Sequence, residues 1–363
     1  MILTGLLTSI AFGQTEVLYV QQNSSLLTYN IDPATLQATL VGNPLPLSGT
    51  AAYVQVFPAP NDHFVYVLTG SQLNQMSLSV YATDGSGVPQ QPAAQTLGPA
   101  AISGFTIDPN GKFAYWTQYK TNSQYEYLYA IRLFTVNSST GRLTESPAVQ
   151  VNFAPSFYCA PIFDGFRPNG SEIQYHLFCT PPDNSLSATY FQSSVNQQTG
   201  QLGAAQQIFA YSDNGSTSSD EVRIGYRSLN DLNMLDSTIS VKVYPPQGGQ
   251  TPLLDCTSAM LAACGEASQF WQDVSGQYLL LSLSNGFDIA RIDYPASQIT
   301  DTGYSIPEQP YFSPDDSILY GAGYGSTTYV QVYGFNRSTG AVTTGAQIGV
   351  TPTFWNTFTT VRK

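Results

Sequence analysis

The chain has 363 residues, of which only 10% are charged, and its 12 basic and 24 acidic residues give a formal net charge of −12. Binding to nucleic acid or to an anionic membrane surface requires clustered Lys and Arg, and the absence of such a cluster argues against both functions. The length fits two ordinary domains or one large all-β domain. The 24 Tyr and 19 Phe favour strands, and no long segment shows the apolar spacing of a helix.

The N-terminus carries the apolar run ILTGLLTSIAF (2–12), which is too short to span a bilayer but long enough for the core of a signal peptide. Ala11, Phe12 and Gly13 then form a small-x-small cleavage site that leaves Gln14 as the first mature residue. We predict that 1–13 is the remnant of a signal peptide, that 14–363 is one domain, and that the protein is extracytoplasmic (periplasmic or secreted) without membrane insertion. The alternative is that the run forms a buried first strand.

Two turn motifs alternate along the rest of the chain. The first occurs as VNSSTGRLT (136–144), VNQQTGQLG (195–203) and FNRSTGAVT (335–343), with looser versions at 29–39, 81–90 and 292–300. Its Asn can bond backbone groups two residues on, and its Gly supplies the left-handed conformation that closes a hairpin. The second motif has Pro at its second position, as a type I turn favours, and occurs at 59–62, 108–111, 167–170 and 313–316, with a variant at 273–276. A strand of alternating hydrophobicity follows each copy.

This alternation predicts units of about 40 to 60 residues with four strands each, a to d, in which the second motif joins a to b and the first joins c to d. Such repeats form β-propellers. The first strands of units two to seven are expected near Tyr53, Ile102, Ile162, Val222, Phe270 and Tyr311, and the fifth unit is irregular. The N-terminal unit lacks strand a, while TPTFWNTFTTV (351–361) is a lone strand. We therefore predict an all-β, seven-bladed β-propeller of four-stranded blades, whose ring is closed by the C-terminal strand completing the N-terminal blade.

The four cysteines fall into two pairs. If 167–170 is a hairpin turn, Cys159 and Cys179 lie almost directly opposite each other, which suits a disulfide. Cys256 and Cys264 close a small loop, so a second bridge is predicted there, in keeping with an oxidising compartment. The alternative is four reduced, buried cysteines. No metal site is expected, because neither a Cys-x-x-Cys motif nor paired His accompanies them.

The segments FTIDPNGKFAYW (105–116) and FSPDDSILYG (312–321), together with VNSSTGRLT and FNRSTGAVT, resemble the seven-bladed YVTN/lactonase-like propellers. That family includes 6-phosphogluconolactonase-like proteins of bacteria, sugar-lactone hydrolases and a muconate lactonising enzyme. The resemblance covers nearly the whole chain from about Glu16 and implies the fold rather than an activity. The muconate enzyme is associated with a His, Glu and Arg constellation, whereas neither His63 nor His176 is expected at a channel mouth, so no catalytic residue is carried over.

The d-to-a and b-to-c connections of such a propeller share one end, where the central channel usually holds a ligand. The predicted binding residues there are Tyr119, Tyr125, Glu221, Arg223, Trp271, Asn285 and Tyr324. Glu221 and Arg223 point the same way along a strand and could hold a carboxylate or polarise a lactone carbonyl, although a structural ion pair is the simpler interpretation. Trp271 is either a stacking platform or a core residue, and 213–221 lacks the ligand spacing of a calcium loop.

The sequence thus predicts an exported binding or interaction module, monomeric and without a cofactor, that takes a sugar or a protein ligand through aromatic and amide side chains. The alternative is a lactonase that hydrolyses a sugar lactone at the channel mouth. The two differ in what they require, because an enzyme needs convergent acid–base groups in a concave pocket.

Overall fold

The computed structural model describes the chain as a succession of short strands. The described residues are 16–47, 53–71, 75–100, 102–121, 127–153, 159–166, 169–179, 187–212, 232–236, 240–244, 254–257, 270–273, 275–283, 285–293, 295–296, 298–313, 315–323, 329–350 and 358–362. The predicted signal-peptide remnant, 1–13, lies outside them. Within this part of the chain there is no helix long and apolar enough to cross a membrane.

The strands, in chain order, are β1 Glu16–Gln22, β2 Ser25–Ile31, β3 Ala38–Pro46, β4 Tyr53–Pro58, β5 Phe64–Gly70, β6 Met76–Ala82, β7 Gln95–Ala100, β8 Ile102–Ile107, β9 Phe113–Thr121, β10 Tyr127–Val136, β11 Leu143–Asn152, β12 Cys159–Phe166, β13 Glu172–Cys179, β14 Ser187–Ser194, β15 Gln206–Ser212, β16 Leu232–Asp236, β17 Ser240–Tyr244, β18 Leu254–Thr257, β19 Phe270–Gln272, β20 Tyr278–Leu283, β21 Gly286–Asp293, β22 Gln298–Ile306, β23 Gln309–Phe312, β24 Ile318–Gly323, β25 Tyr329–Phe335, β26 Val342–Gly349 and β27 Phe358–Arg362.

These strands form antiparallel sheets that are the blades of a β-propeller, which confirms the predicted all-β propeller fold. Six sheets have four strands: β27-β1-β2-β3, β4 to β7, β8 to β11, β12 to β15, β19 to β22 and β23 to β26. Strand β27 joins the first sheet by pairing with β1, with Arg362 opposite Glu16. The six sheets are named below after the sequence units to which they correspond, as blades one, two, three, four, six and seven.

The described residues contain six four-stranded blades, which is one fewer than the sequence predicts. The fifth unit is represented by the three-stranded sheet β16-β17-β18. Its predicted first strand near Val222 lies outside the described residues. In sequence this unit carries neither of the two turn motifs that recur in the other units.

The first turn motif closes strands c and d in the way that its residues predict. In the turn after β10, the Asn137 side chain accepts the N–H groups of Ser139 and Thr140, and the N–H of Gly141 bonds the Asn137 carbonyl at 2.7 Å. Gly141 has φ +68°. Asn196 with Gly200 and Asn336 with Gly340 repeat this geometry. The motif recurs because each copy closes the outer hairpin, between strands c and d, of its own blade.

The second turn motif closes strands a and b around a buried side-chain acceptor. Asp108 is 2% exposed, and its carboxylate accepts the backbone N–H groups of Asn110, Lys112 and Phe113 at 3.2, 2.7 and 2.7 Å. In the last blade the Ser313 hydroxyl plays the same part for the N–H of Ile318. The backbone N–H groups of the turn therefore find their hydrogen-bond acceptor in a buried side chain and do not depend on water.

Apolar side chains of strands b and c fill the seams between neighbouring blades. In the seam between blades three and four, Phe113, Tyr115 and Leu133 pack against Ile173 and Tyr175. Comparable clusters lie between blades one and two, two and three, six and seven, and seven and one. Burial of these residues supplies the main stabilisation of the propeller.

Buried tyrosines on strand b also tie four of the blades to the next one. The Tyr66 hydroxyl donates to the Gly141 carbonyl at 2.9 Å, and the Tyr115 hydroxyl donates to the Gly200 carbonyl at 2.6 Å. Each acceptor lies in the c–d turn of the following blade. The same contact joins Tyr19 to Gly87 at 2.7 Å and Tyr278 to Arg337 at 3.2 Å. A backbone carbonyl of the repeated turn therefore also accepts a hydrogen bond from a tyrosine of the preceding blade.

Replacing Tyr115 by Phe is expected to lower the free energy of unfolding by about 1 to 3 kcal/mol, because the buried Gly200 carbonyl loses its donor. Chemical denaturation measures this change. The control is Tyr304→Phe, since Tyr304 is 42% exposed, and its effect should stay within about 0.5 kcal/mol. Equal effects of the two substitutions would contradict the proposed role of the hydrogen bond.

The same pair of variants has a pH signature. Burial raises the pKa of Tyr115 above the usual value for tyrosine. The stability from keeping this phenol neutral is complete below about pH 10 and is lost as the pH rises above that value. Tyr115→Phe should therefore lose stability less steeply than the wild type above pH 10.

The predicted Cys159–Cys179 disulfide is confirmed. The two residues lie directly opposite each other on β12 and β13, with a Cα–Cα distance of 4.0 Å. The bond joins the beginning of strand a to the end of strand b. Cys256 lies on β18, whereas Cys264 lies outside the described residues, so the second bridge stays a prediction.

Candidate functional site at the loop face

The strand order places the b–c and d–a connections at one end of the propeller, here called the loop face. Its described margins are the ends of strands b and d and the beginnings of strands c and a. The connections concerned are those at 22–25, 70–76, 121–127, 179–187, 283–286 and 323–329 between strands b and c, and at 46–53, 100–102, 152–159, 306–309 and 349–358 between strands d and a. The turns with Asn-x-x-Thr-Gly and with Pro lie at the opposite end.

Three of the predicted binding residues can be placed at or near this face. Tyr119, near the end of β9, is half-buried, and its ring centroid lies 5.4 Å from that of Tyr129. Asn285 is exposed in the short turn between β20 and β21. Trp271 is half-buried on β19 and meets Phe287 edge-on at 5.0 Å.

The packing of Trp271 is relevant to whether this residue is a stacking platform or a core residue. It adjoins the cluster that fills the seam between blades six and seven, which is the surrounding expected of a core residue. Its role as a stacking platform stays a prediction, as does the binding role of Tyr119 and Asn285. Tyr125, Glu221, Arg223 and Tyr324 lie outside the described residues.

The structure adds a group that the sequence analysis missed, in the d–a connection that leads into blade seven. Glu308 is 6% exposed, and its carboxylate accepts the hydroxyl of Tyr329 at 3.0 Å and that of Tyr333 at 2.7 Å. Both tyrosines lie on β25, four residues apart and therefore on the same face. Tyr329 is the more exposed of the two and stands at the beginning of strand c, beside the b–c loop.

Two glycines on β24 make room for this acid–tyrosine group. A Cβ atom at Gly321 would lie 2.8 Å from Glu308 Cβ and 2.8 Å from its Oε2, and a Cβ at Gly323 would lie within 2.5 Å of two ring atoms of Tyr329. No side chain could be added at either position without displacing the carboxylate or the ring. The glycine-rich segment GAG (321–323), at the end of β24, is the signal in the sequence that could have indicated the group.

The tyrosines of this group are donors at neutral pH. The hydrogen bond to Glu308 raises the pKa of Tyr329, and burial followed by the contacts with Glu308 raises that of Tyr333. Glu308 forms no ion pair within the described part of the chain. The arrangement is thus a carboxylate held by two neutral phenols, one of which is half-buried at the loop face.

The two histidines of the chain do not contribute to the Glu308 group. His63 is exposed beside the turn at the opposite end, and His176 lies on β13 with its ring stacked on Tyr190 at 4.8 Å. Among the described residues, no group of three or more His, Cys, Asp or Glu could hold a metal ion. The one basic side chain on the described margins of the loop face is that of Lys120.

The fold and the position of the Glu308 group together define the class of protein. It is a β-propeller with a candidate binding site at the loop face. No protein-family model matches the chain, and no curated protein does. Three solved structures match it over 93 to 96% of its length, at 12 to 16% identity.

A protein of Bacteroides uniformis ATCC 8492, provisionally named 6-phosphogluconolactonase, matches with a TM-score of 0.62 at 16% identity, over 96% of this chain and 100% of its own. A second protein with that provisional name, from Bacteroides fragilis NCTC 9343, matches with a TM-score of 0.57 at 14% identity, over 94% and 96%. A functionally unknown protein from Desulfotomaculum acetoxidans DSM 771 follows, with a TM-score of 0.53 at 12% identity, over 93% and 99%. At these identities the likeness shows a shared fold and no more.

Proposed function

We propose that the chain is an extracytoplasmic binding module that takes a neutral, hydroxyl-bearing ligand such as a carbohydrate at the loop face. The observation that carries the proposal is Glu308, held by Tyr329 and Tyr333 at the edge of that face. A carboxylate has about four acceptor sites and two are used here, so it can accept further hydroxyl donors. The export rests on the predicted signal peptide and agrees with the Cys159–Cys179 disulfide.

Aromatic side chains complete the chemistry that a sugar needs. The Tyr119–Tyr129 pair lies at the end of blade three, and Tyr329 presents a phenol at blade seven. Such rings offer an apolar face together with a polar edge, which matches the two kinds of surface on a sugar ring. Within the described margins only Lys120 is basic, and the net charge is −12. Both facts favour a neutral ligand over a phosphorylated one.

We further propose that β16-β17-β18 is the fifth blade of a seven-membered ring and that the β27–β1 pairing closes it. This proposal is supported by the position of the three-stranded sheet in the chain, between blades four and six, and by the register of β27 on β1. Closure by the two ends of the chain leaves the first blade without a free inner edge. The protein is then a monomer.

The test is calorimetric titration with mono- and oligosaccharides, comparing the wild type with Tyr329→Phe and Glu308→Gln. We expect binding by the wild type and an at least tenfold weaker affinity in both variants, since each loses a polar group that contacts the ligand. Tyr304→Phe, on the outer strand β22, is the matched control and should bind like the wild type. Unchanged affinity in both loop-face variants would disprove the proposed site.

A lactone hydrolase is the second candidate, favoured by the fold shared with the two provisionally named lactonases. In this reading Glu308 accepts a proton from water as the water oxygen attacks the lactone carbonyl, and it then gives that proton to the ring oxygen as the ring C–O bond breaks to give the hydroxy acid. Turnover of D-glucono-1,5-lactone above the spontaneous rate, lost in Glu308→Gln, would establish it. Binding without turnover leaves the binding module.

A further inference from the structure

Glu308 differs from three buried aspartates in what its carboxylate holds. Asp108, Asp273 and Asp316 are 1 to 2% exposed, and each accepts backbone N–H groups in or beside the turns that join strands a and b. Glu308 lies instead in a d–a connection at the loop face, and among the described residues it accepts only two phenol hydroxyls and no backbone N–H. Closing a turn therefore explains the aspartates but not Glu308.

The Glu308 carboxylate has no positively charged partner in the described part of the chain. The ion pair found there joins Arg132 to Glu145 on blade three. By sequence, the connections that lead into, cross and leave blade seven at the loop face contain neither Lys nor Arg, namely 306–309, 323–329 and 349–358. Carboxylates are rarely buried without a partner of opposite charge. The charge of Glu308 is therefore available to a cation from outside the protein.

The hydrogen bonds of the group leave acceptor positions that suit an ammonium. Tyr329 donates to one carboxylate oxygen of Glu308 and Tyr333 donates to the other, so each oxygen can accept one more donor. The Tyr329 oxygen can also accept, because its hydrogen atom is directed at the carboxylate. An ammonium has three N–H donors and can bond the carboxylate and the phenol oxygen together, whereas a hydroxyl has one donor.

We propose that the Glu308 group prefers a carbohydrate that bears one ammonium, as a 2-amino sugar does. This inference rests on the proposed function, a carbohydrate site at the loop face, and specifies the substituent that the site prefers, while a neutral sugar binds more weakly. Because only 6% of Glu308 is exposed, one substituent reaches the carboxylate and the sugar ring stays outside, against Tyr329. The net charge of −12 attracts a cation to the protein in the first place.

Calorimetric titration of the full chain at pH 6 tests this preference with D-glucosamine and D-glucose, which differ only in the ammonium or hydroxyl at C2. N-Acetyl-D-glucosamine carries the same nitrogen without a charge. We expect D-glucosamine to bind at least tenfold more tightly than either neutral sugar, since a charge-assisted hydrogen bond is stronger than a neutral one. Glu308→Gln should abolish this preference. Glu145→Gln makes the same replacement on the outer strand β11 and, as the matched control, should keep it.

The wild type supplies a second test that needs no variant. The amine of D-glucosamine loses its proton at about pH 8, as an α-amino group does, so the preference should vanish at pH 9. Among the described residues, Tyr329 and Tyr333 are the titratable groups in contact with Glu308. The hydrogen bond to Glu308 raises the pKa of Tyr329 and burial raises that of Tyr333, so both phenols keep their protons at pH 9.

The possible outcomes separate this inference from the function on which it rests. Equal affinity of the wild type for D-glucosamine and D-glucose at pH 6 would overturn the inference and leave the carbohydrate site in place. A preference for D-glucosamine that survives in Glu308→Gln, or at pH 9, would have its origin elsewhere and would overturn it too. If none of the three sugars binds, the proposed function falls together with the inference.

Discussion

Gly200→Ala is expected to destabilise the propeller by about 3 to 4 kcal/mol, the sum of backbone strain and overpacking. Gly200 has φ +73°, and a Cβ there would lie 2.5 Å from Phe113 Cδ1 and 2.9 Å from Leu133 Cδ1. Both contacts belong to the preceding blade, and so does Tyr115, which donates to the Gly200 carbonyl. The substitution therefore damages a seam as well as a turn. Urea denaturation measures the loss.

Gly303→Ala is the matched control for this prediction. Gly303 has φ +75°, nearly that of Gly200, but a Cβ there would meet nothing within 4 Å. The substitution therefore measures only the strain of an alanine in the left-handed conformation, which should lower the free energy of unfolding by about 1 kcal/mol. If both substitutions cost the same, the turn glycine acts only locally and the proposed coupling between blades is wrong.

Removing the Cys159–Cys179 bridge, in the double variant Cys159→Ala with Cys179→Ala, should lower the free energy of unfolding by about 3 kcal/mol. The bond closes a loop with a sequence separation of 20, and the chain-entropy relation gives this magnitude for a loop of that length. Denaturation of the oxidised wild type and of the double variant measures the difference. A loss below about 1 kcal/mol would mean that the paired strands constrain the chain without the bond.

Reduction of the same double variant tests the bridge that the sequence predicts between Cys256 and Cys264. If that bridge forms, dithiothreitol lowers the melting temperature of the double variant further. An unchanged melting temperature, with free thiols detected at both positions before reduction, would show that these cysteines are reduced.

Local chemistry explains why so much of the fold could be predicted. An Asn side chain that bonds backbone N–H groups, and a Gly that adopts positive φ, act within five residues, so the turns could be recognised without any tertiary information. Asn137 and Gly141 behave in this way. The Cys159–Cys179 pair followed from the register that such a turn imposes. Where the motifs are absent, in the fifth unit, the prediction of a four-stranded blade has only three described strands to support it.

Non-local contacts explain what could not be predicted. Glu308 is one carboxylate in a connection, and nothing near it in sequence marks it, since Tyr329 and Tyr333 follow more than twenty residues later. Trp271 could equally be core or platform, and only its contact with Phe287 shows how it packs.

The sequence by itself determined the class of fold, the turns, the strand order within blades and the first disulfide, because each depends on interactions between residues close along the chain. Only the tertiary structure decided that a turn glycine of one blade is the acceptor for a tyrosine of the blade before it, as for Gly200 and Tyr115. It also decided which polar groups are buried together, as Glu308 is with its two tyrosines. The physical reason is that burial and hydrogen-bond satisfaction belong to a packed interface, and the partners across a seam are set by how whole blades stack.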